Sequence, residues 1–505
     1  MTFNLTTILI LITAAVLYNL LPPRGREWFL FSGSIIAVYG LQPFLPIRFS
    51  GFILPTVTLL LVTAVWHITQ APAYKFTRED KLTVGLMAAL VITLSLFRYI
   101  PPSLNPFANR PPNPLFIVAF VGVILLLWRL KPQQRLRSRP APTKDQPAQA
   151  GFVVVAANSD SRRILFAQNA AILLIVLLFI ALKSEPMAVG IGRFWRTLTA
   201  QDPTIASHLD LTWLGFSYIA FRLIHTLRDA QTGLLPTLSL REFTSYVLFF
   251  PALIAGPIDR AERFIQDFRA LPTFTRFDAA RFYQAFTRIT LGLLKKFIIA
   301  DSLAQGLALT PLSAEQATST PGLWLLLYGY ALRLYFDFSG YTDIAIGIGL
   351  LFGIELPENF RRPYFQTSLT AFWQSWHITL SSWVRFYVFS PLSRHLLRRK
   401  PRPSPILIVL ISQSITMIVI GLWHGLSLNF FIWGLWHGLG LFVHKQWSDK
   451  TRHWYRHIQN TTWPRRLWTV TAWFLTFHYV VLGWVWFLLP DFTLALQTFA
   501  KLFAL

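Results

Sequence analysis

The stretch "GLWHGLSLNFFIWGLWHGLG", residues 421–440, is apolar enough to sit in a membrane, yet it carries Trp-His-Gly twice. An ionisable side chain in hydrocarbon is costly and, by default, functional. The alternative for either histidine is a core residue with a single hydrogen-bond partner. On one continuous helix, His424 and His437 would be separated by roughly 20 Å of rise and about 220° of rotation. They would not share a site, and a break near Gly425–Asn429 only partly brings them together. His437 shares a helix face with Trp433 and His444. The two units are therefore expected to do different work, His437 in helix packing.

The rest of the chain supports a membrane setting. Of 505 residues, 54% are hydrophobic and 13% charged, whereas soluble domains carry about 25% charge. Several runs approach the ~20 residues of a spanning helix, the clearest being Phe3–Leu21, Trp28–Phe44, Leu82–Tyr99, Pro114–Leu130, Ile164–Leu182, Pro405–Leu422 and Leu467–Leu489. The first run has no basic flank and no small-residue cleavage site, so it reads as a retained helix. Cysteine is absent, which excludes disulfides, cysteine-ligated metal and a cysteine thioester intermediate. The net charge of +24 sits in loops, as cytoplasmic bias and anionic headgroups explain. No nucleic-acid partner is expected.

The loops give a direction. "KPQQRLRSRPAPTKDQPAQA", Lys131–Ala150, has five basic residues against one acid and is placed in the cytoplasm. Five apolar segments precede it, so the N-terminus is expected outside. "PPRGRE" and "KFTREDK" then fall inside, and "PPSLNPFANRPPNP" outside. Asp301–Gly322 has acids but no base and goes outside. Ser393–Pro403 and Lys445–Arg466 are basic and go inside. The segments around His424 thus form a hairpin entered from the cytoplasm, with His424 near its outward turn.

One region is unlike an ordinary membrane helix. From Tyr335 to Arg394, Asp337, Asp343, Glu355, Glu358, Asn359, Arg361, Arg362, His377 and Arg385 lie among aromatics. Pro357 and Pro363 forbid a continuous helix through its middle. Irregular polar backbone at membrane depth is tolerated only inside protein or beside a wet cavity.

The pieces "DFSGYTDIAIGIG", "PENFRRPYF", "FWQSWHITLSSWVR" and "GLWHGLSLNFFIWGLWHG", with "GFSYIAFRLIHTLRD" and "FFPALIAGPIDR" upstream, resemble the membrane-bound O-acyltransferase (MBOAT) family. They are most similar to its bacterial branch, which includes the alginate O-acetylation and teichoic-acid D-alanyl transfer proteins. The resemblance covers about residues 165–445, with weaker similarity over Leu17–His67. It implies an all-α polytopic membrane protein: a ring of tilted transmembrane helices with re-entrant or interfacial helices around a central funnel. It divides the chain into N-terminal transmembrane helices (1–130), a basic cytoplasmic linker (131–163), a catalytic core (164–445) and a basic loop with a C-terminal helix (446–505).

The resemblance also assigns roles. His424 matches the family's catalytic histidine and His377 its second histidine. Asp337, Asp343, Asn359, Arg361, Trp373 and Trp423 are candidates for substrate binding. Each has a plainer reading: ion pairs of Asp337 and Asp343 with a buried arginine such as Arg222 or Arg333, a bend stabilised by Asn359 and Arg361, a packing pair of Trp373 with His377. His225 is expected to be structural. A neutral imidazole can take a hydroxyl proton as general base. The implied reaction is acyl transfer, such as acetyl, from a thioester (acyl-CoA or acyl carrier protein) to a hydroxyl. The acceptor would be an extracytoplasmic polysaccharide, a glycolipid or a partner acyltransferase. No bound cofactor or metal is expected, and the setting is a bacterial plasma membrane.

The match has departures. Ala371 stands where the family commonly has Asp, Gln374–Ser375 replace its paired arginines, and Phe386 replaces an Asp. The helices of Leu82–Leu130 are an addition. A secondary transporter would also explain broken helices and intramembrane charges, but no two-half repeat is present. An inactive membrane scaffold is the other alternative.

The topology is directly testable, because any introduced cysteine is unique. Pro140→Cys should resist a membrane-impermeant thiol reagent in intact cells and react after lysis; labelling of intact cells would reverse the assignment.

Overall fold

The computed structural model describes residues 5–70, 74–101, 111–130, 159–273 and 278–504. Most of the basic linker expected at 131–163 lies outside them. Among the described residues there is no β-strand, only one isolated bridge, Phe360 to Trp376. The protein is an all-α membrane protein. Among the described residues five helices are long and apolar enough to cross a membrane: Ser50–Thr69, Arg78–Tyr99, Arg162–Lys183, Pro405–His424 and Thr462–Leu488. Leu5–Leu20 and Pro114–Ile124 are apolar but shorter. The run expected at Trp28–Phe44 is instead the helix Pro23–Gly40. Its first turns carry Arg24, Arg26 and Glu27, and Arg26 is fully buried.

The acidic loop expected at Asp301–Gly322 contains two short helices, Asp301–Ala304 and Pro311–Gln316. The polar region from Tyr335 is regular in its first part. Through Leu351 it belongs to a 32-residue helix, Thr320–Leu351, whose last third is buried almost throughout. The break comes afterwards, between Phe352 and Arg362, beside Pro357 and Pro363.

Two helix pairs position the site, and both rely on glycine. The helices Pro405–His424 and Leu428–Lys450 touch backbone to backbone. A Cβ on Gly434 would lie 2.6 Å from Ile418 Cα, and one on Gly421 would lie 2.2 Å from the Phe430 carbonyl oxygen. Gly438, four residues on, meets Ser414 in the same way. This small-xxx-small spacing is how helices associate closely where lipid removes the hydrophobic drive. The second pair is Ala279–Leu293 against Thr320–Leu351. A Cβ on Gly292 would meet the Gly340 oxygen at 2.6 Å, and one on Gly340 the Gly292 oxygen at 2.8 Å.

The first helix of this second pair continues through a π-helical stretch, Leu294–Ala300, a form often found beside functional sites. It places consecutive lysines on two acids of the facing helix. Lys296 pairs with Asp337, while Lys295 reaches Asp343 at 2.5 Å. Arg288 binds Asp343 at 2.6 Å and also pairs with Glu358. Charges at membrane depth are expected to find such partners.

Replacing Gly434 with valine should cost about 1–3 kcal/mol through overpacking. Thermal unfolding in detergent should show a lowered midpoint for Gly434→Val. Gly85→Ala, whose added Cβ meets nothing within 4 Å, should leave it unchanged or higher.

Candidate active site

The helix Pro405–His424 stops because Gly425 is fully extended and Ser427 starts the next helix, its Oγ accepting from the Phe430 N–H at 3.3 Å. Buried Asn429 fastens the turn by donating Nδ2 to the Leu489 carbonyl at 2.6 Å. His424, half-buried, is therefore presented at a helix end. Its ring lies among Trp423 (4.6 Å between centroids), Phe487 (4.7 Å), Trp433 (5.6 Å) and Phe430 (5.9 Å).

His377 is held differently. Its backbone is left-handed, φ 42° and ψ 56°, a conformation that costs a non-glycine residue about 1–3 kcal/mol and tends to persist at functional sites. Asn359 explains how it is kept. Its main-chain oxygen accepts from the Ile378 N–H at 2.9 Å. Its Oδ1 accepts from Thr379 Oγ1 at 2.7 Å and from the Thr379 N–H at 3.3 Å, and it faces His377 Nδ1 at 3.3 Å. The Thr379 N–H can only donate, so the amide atom facing it is oxygen. His377 Nδ1 must then carry hydrogen, and in the neutral ring the lone pair sits on Nε2. Nε2 has no protein partner among the described residues. Two more links, Arg361 N–H to Ser375 O at 3.0 Å and the Phe360–Trp376 bridge, tie this loop to the one before His377.

Both histidines line one cavity of about 350 Å³. Its wall also includes Asp337, Trp373, Trp423, Trp433, Trp484, Phe338, Phe487, Ser217, Tyr218 and Lys183. Of the eight residues singled out by the sequence, five therefore meet there: His424, His377, Asp337, Trp373 and Trp423. Three do not line it. Asp343 is buried in the ion pairs with Arg288 and Lys295. Asn359 stands behind His377. Arg361 is exposed. Arg222, a suggested partner for the acids, instead binds the carbonyls of Val247 at 2.8 Å and Ala252 at 2.9 Å. His225 bonds the Tyr246 hydroxyl at 2.9 Å, away from the cavity.

His437 is nearer to His424 than continuous-helix arithmetic allows. The turn at Gly425–Ser427 folds the second helix back, so only the Trp433 indole separates them, with centroids 5.6 Å and 5.0 Å away. His437 is fully buried behind Trp433 and Trp373, and outside the cavity wall.

Sequence reasoning passed over Lys183, Tyr218 and Phe487, and read Trp433 only as a neighbour of His437. Tyr218 lies inside a quoted motif. Lys183 ends an apolar run and reads there as an ordinary headgroup anchor.

A second concavity, of about 600 Å³, lies along the far part of Leu428–Lys450 and is lined by Arg452, Arg456, His444, Trp447, Trp454 and Trp468. The Trp447 and Trp468 rings stack with centroids 6.3 Å apart.

An O-acyltransferase needs two aligned substrates and a base between them, and the cavity supplies paired histidines in an aromatic wall. Comparison with known proteins decides the matter: the model of the membrane-bound O-acyltransferase family matches residues 164–489. The chain belongs to this family. The match runs past residue 445 and takes in Trp484 and Phe487 of the cavity wall.

Among individual relatives, the "Teichoic acid D-alanyltransferase" of Bacillus subtilis (strain 168) is 32% identical over 297 residues, covering 58% of this chain and 73% of the relative. The "Probable alginate O-acetylase AlgI" of Pseudomonas fluorescens is 35% identical over 308 residues, 60% of this chain and 56% of the relative. The "Peptidoglycan O-acetyltransferase" of Helicobacter pylori is 36% identical over 271 residues, 51% and 46%. The chain spans only about half the length of these last two. As an MBOAT protein it is an enzyme that transfers acyl groups to hydroxyls.

The orientation of His377 can be tested apart from its chemistry. Asn359→Ala removes the acceptor that fixes the ring, and misplacement of this kind costs up to about 10²-fold in rate. Acyl transfer by Asn359→Ala should fall by roughly 10–100-fold with the protein still folded. Arg361→Ala, outside the cavity, should change it little.

Proposed function

We propose that His424 is the general base of an acyl transfer from a cytoplasmic thioester to a hydroxyl of a cell-envelope polysaccharide or glycolipid. The observation that carries this reading is the placement of His424 and His377 in the wall of one aromatic cavity. The acceptor hydroxyl gives its proton to the His424 imidazole as its oxygen attacks the acyl carbon. The tetrahedral intermediate then expels the thiolate, which takes the proton from the His424 imidazolium. The C–O bond forms and the C–S bond breaks without a covalent enzyme intermediate. His377 Nε2, aimed by Asn359 and carrying the lone pair, would accept a hydrogen bond from a substrate O–H or N–H. Asp337, neutralised by Lys296, is left a supporting part.

Three considerations support the direction and the substrates. The relatives named above act on teichoic acid, alginate or peptidoglycan. The second concavity carries Arg452 and Arg456 beside stacked indoles, suited to the anionic end of an acyl-CoA or a carrier protein, on a segment whose basic loops belong in the cytoplasm. The His424 turn lies at the other end of its hairpin, where an extracytoplasmic acceptor or partner acyltransferase would meet it. The membrane would be a bacterial plasma membrane, with the N-terminus outside.

General-base catalysis contributes typically 10²–10⁴-fold. His424→Ala and His424→Gln should both lose at least about that much in kcat while still binding donor. His437→Gln should keep most activity. A glutamine at 424 that retains substantial turnover would remove His424 from the proton transfer.

A further inference from the structure

We infer that Lys183 selects acceptors bearing a negative charge near the hydroxyl to be acylated. The inference rests on the reading of the cavity given above and adds the recognition of one substrate.

Lys183 is the last residue of the helix Ser159–Lys183 and is half-buried in the wall of the His424 cavity. Its Nζ donates to the main-chain oxygen of His424 at 3.3 Å. That oxygen is one of the carbonyls a helix C-terminus leaves without an intrahelical partner, and a cation there is favourable. An ammonium has three donors, so one such bond leaves two for a ligand. Four cations near this region are committed elsewhere. Lys296 pairs with Asp337, Lys295 and Arg288 pair with Asp343, and Arg222 binds main-chain oxygens. Lys183 forms no ion pair among the described residues. Its Nζ also lies over the Phe179 ring, 5.9 Å from the centroid.

An ammonium held in an aromatic wall without a carboxylate is expensive unless an anion completes it. Its place indicates which substrate brings that anion. Arg162 stands at the other end of the helix, 21 residues or roughly 31 Å back along the axis. Basic residues favour the cytoplasmic end, so Lys183 is at the end from which the acceptor enters. Lysine acts as a point charge rather than a bidentate fork. It would accept a carboxylate or a phosphate, and it discriminates charged from neutral acceptors rather than one anion from another.

Binding separates this from catalysis. The full-length protein in neutral-lipid nanodiscs would be titrated with a neutral hexose oligomer, a hexuronate oligomer of equal length and a glycerol-phosphate oligomer, following indole fluorescence. The unaltered protein should bind at least one anionic oligomer about tenfold or more tighter than the neutral one, the size of one charge-assisted hydrogen bond. Lys183→Gln should abolish that preference and Lys183→Arg should keep it. His424→Gln should also keep it, so that loss of the catalytic role and loss of this role are told apart. Absence of a preference in the unaltered protein overturns the inference. So does a preference that survives in Lys183→Gln, which would trace it to the general positive charge of the chain. Equal weakening of all three oligomers in both Lys183 variants would leave Lys183 only as a clamp on the His424 turn and would likewise overturn it.

Discussion

The contact between Pro405–His424 and Leu428–Lys450 is the constraint on which the site depends. Helices in lipid gain little from burying apolar surface against each other, so they must gain from close packing. Gly421, Gly434 and Gly438 allow main chain to touch main chain. That contact leaves only a short turn between the helices, and the turn fixes where His424 stands. It also brings Trp433 alongside His424, and Trp433 in turn supports Trp373 and Trp484. A bulkier residue at 434 would thus disturb His424, the wall and the packing of Thr462–Leu488 together.

A second constraint sits on the opposite wall. His377 depends on one asparagine oxygen shared among three groups and on a backbone conformation that is unfavourable by itself. Ala371, Gln374 and Ser375, just before this histidine, carry no charge. The amide of Asn359 does the orienting instead. A neutral orienter leaves His377 without a counter-charge, consistent with a ring that offers a lone pair rather than a fixed positive charge.

Much of this was legible in the sequence, for physical reasons. Four of the seven apolar runs coincide with helices long enough to cross a membrane, and the two prolines at 357 and 363 marked the break. The hairpin turn beside His424 followed from basic loops on both sides. The partners of the acids were not legible, because Asp337 and Asp343 are joined to Lys296, Lys295 and Arg288 across a helix pair whose register is set by Gly292 and Gly340. Nor was the nearness of His437, since a three-residue turn reverses the chain and cancels rise along a single helix. Asn359 read as a ligand contact because a polar residue in a bend looks the same from sequence whether it faces a substrate or a neighbouring imidazole. Lys183 was passed over because a lysine ending an apolar run usually needs no explanation beyond the headgroups.

The aromatic wall has a further consequence. Trp373, Trp423, Trp433, Trp484, Phe338 and Phe487 all line the cavity, and an aromatic ring has only two side-chain torsions to freeze. Such a wall gives up little disorder when a substrate enters and yields little when the substrate is too large. It acts as a mould, not a sleeve. One extra methylene in a fitted apolar pocket is worth about 1–3 kcal/mol of discrimination. The length of the transferred chain would therefore be measured by the shape of these rings, while the histidines remain indifferent to it.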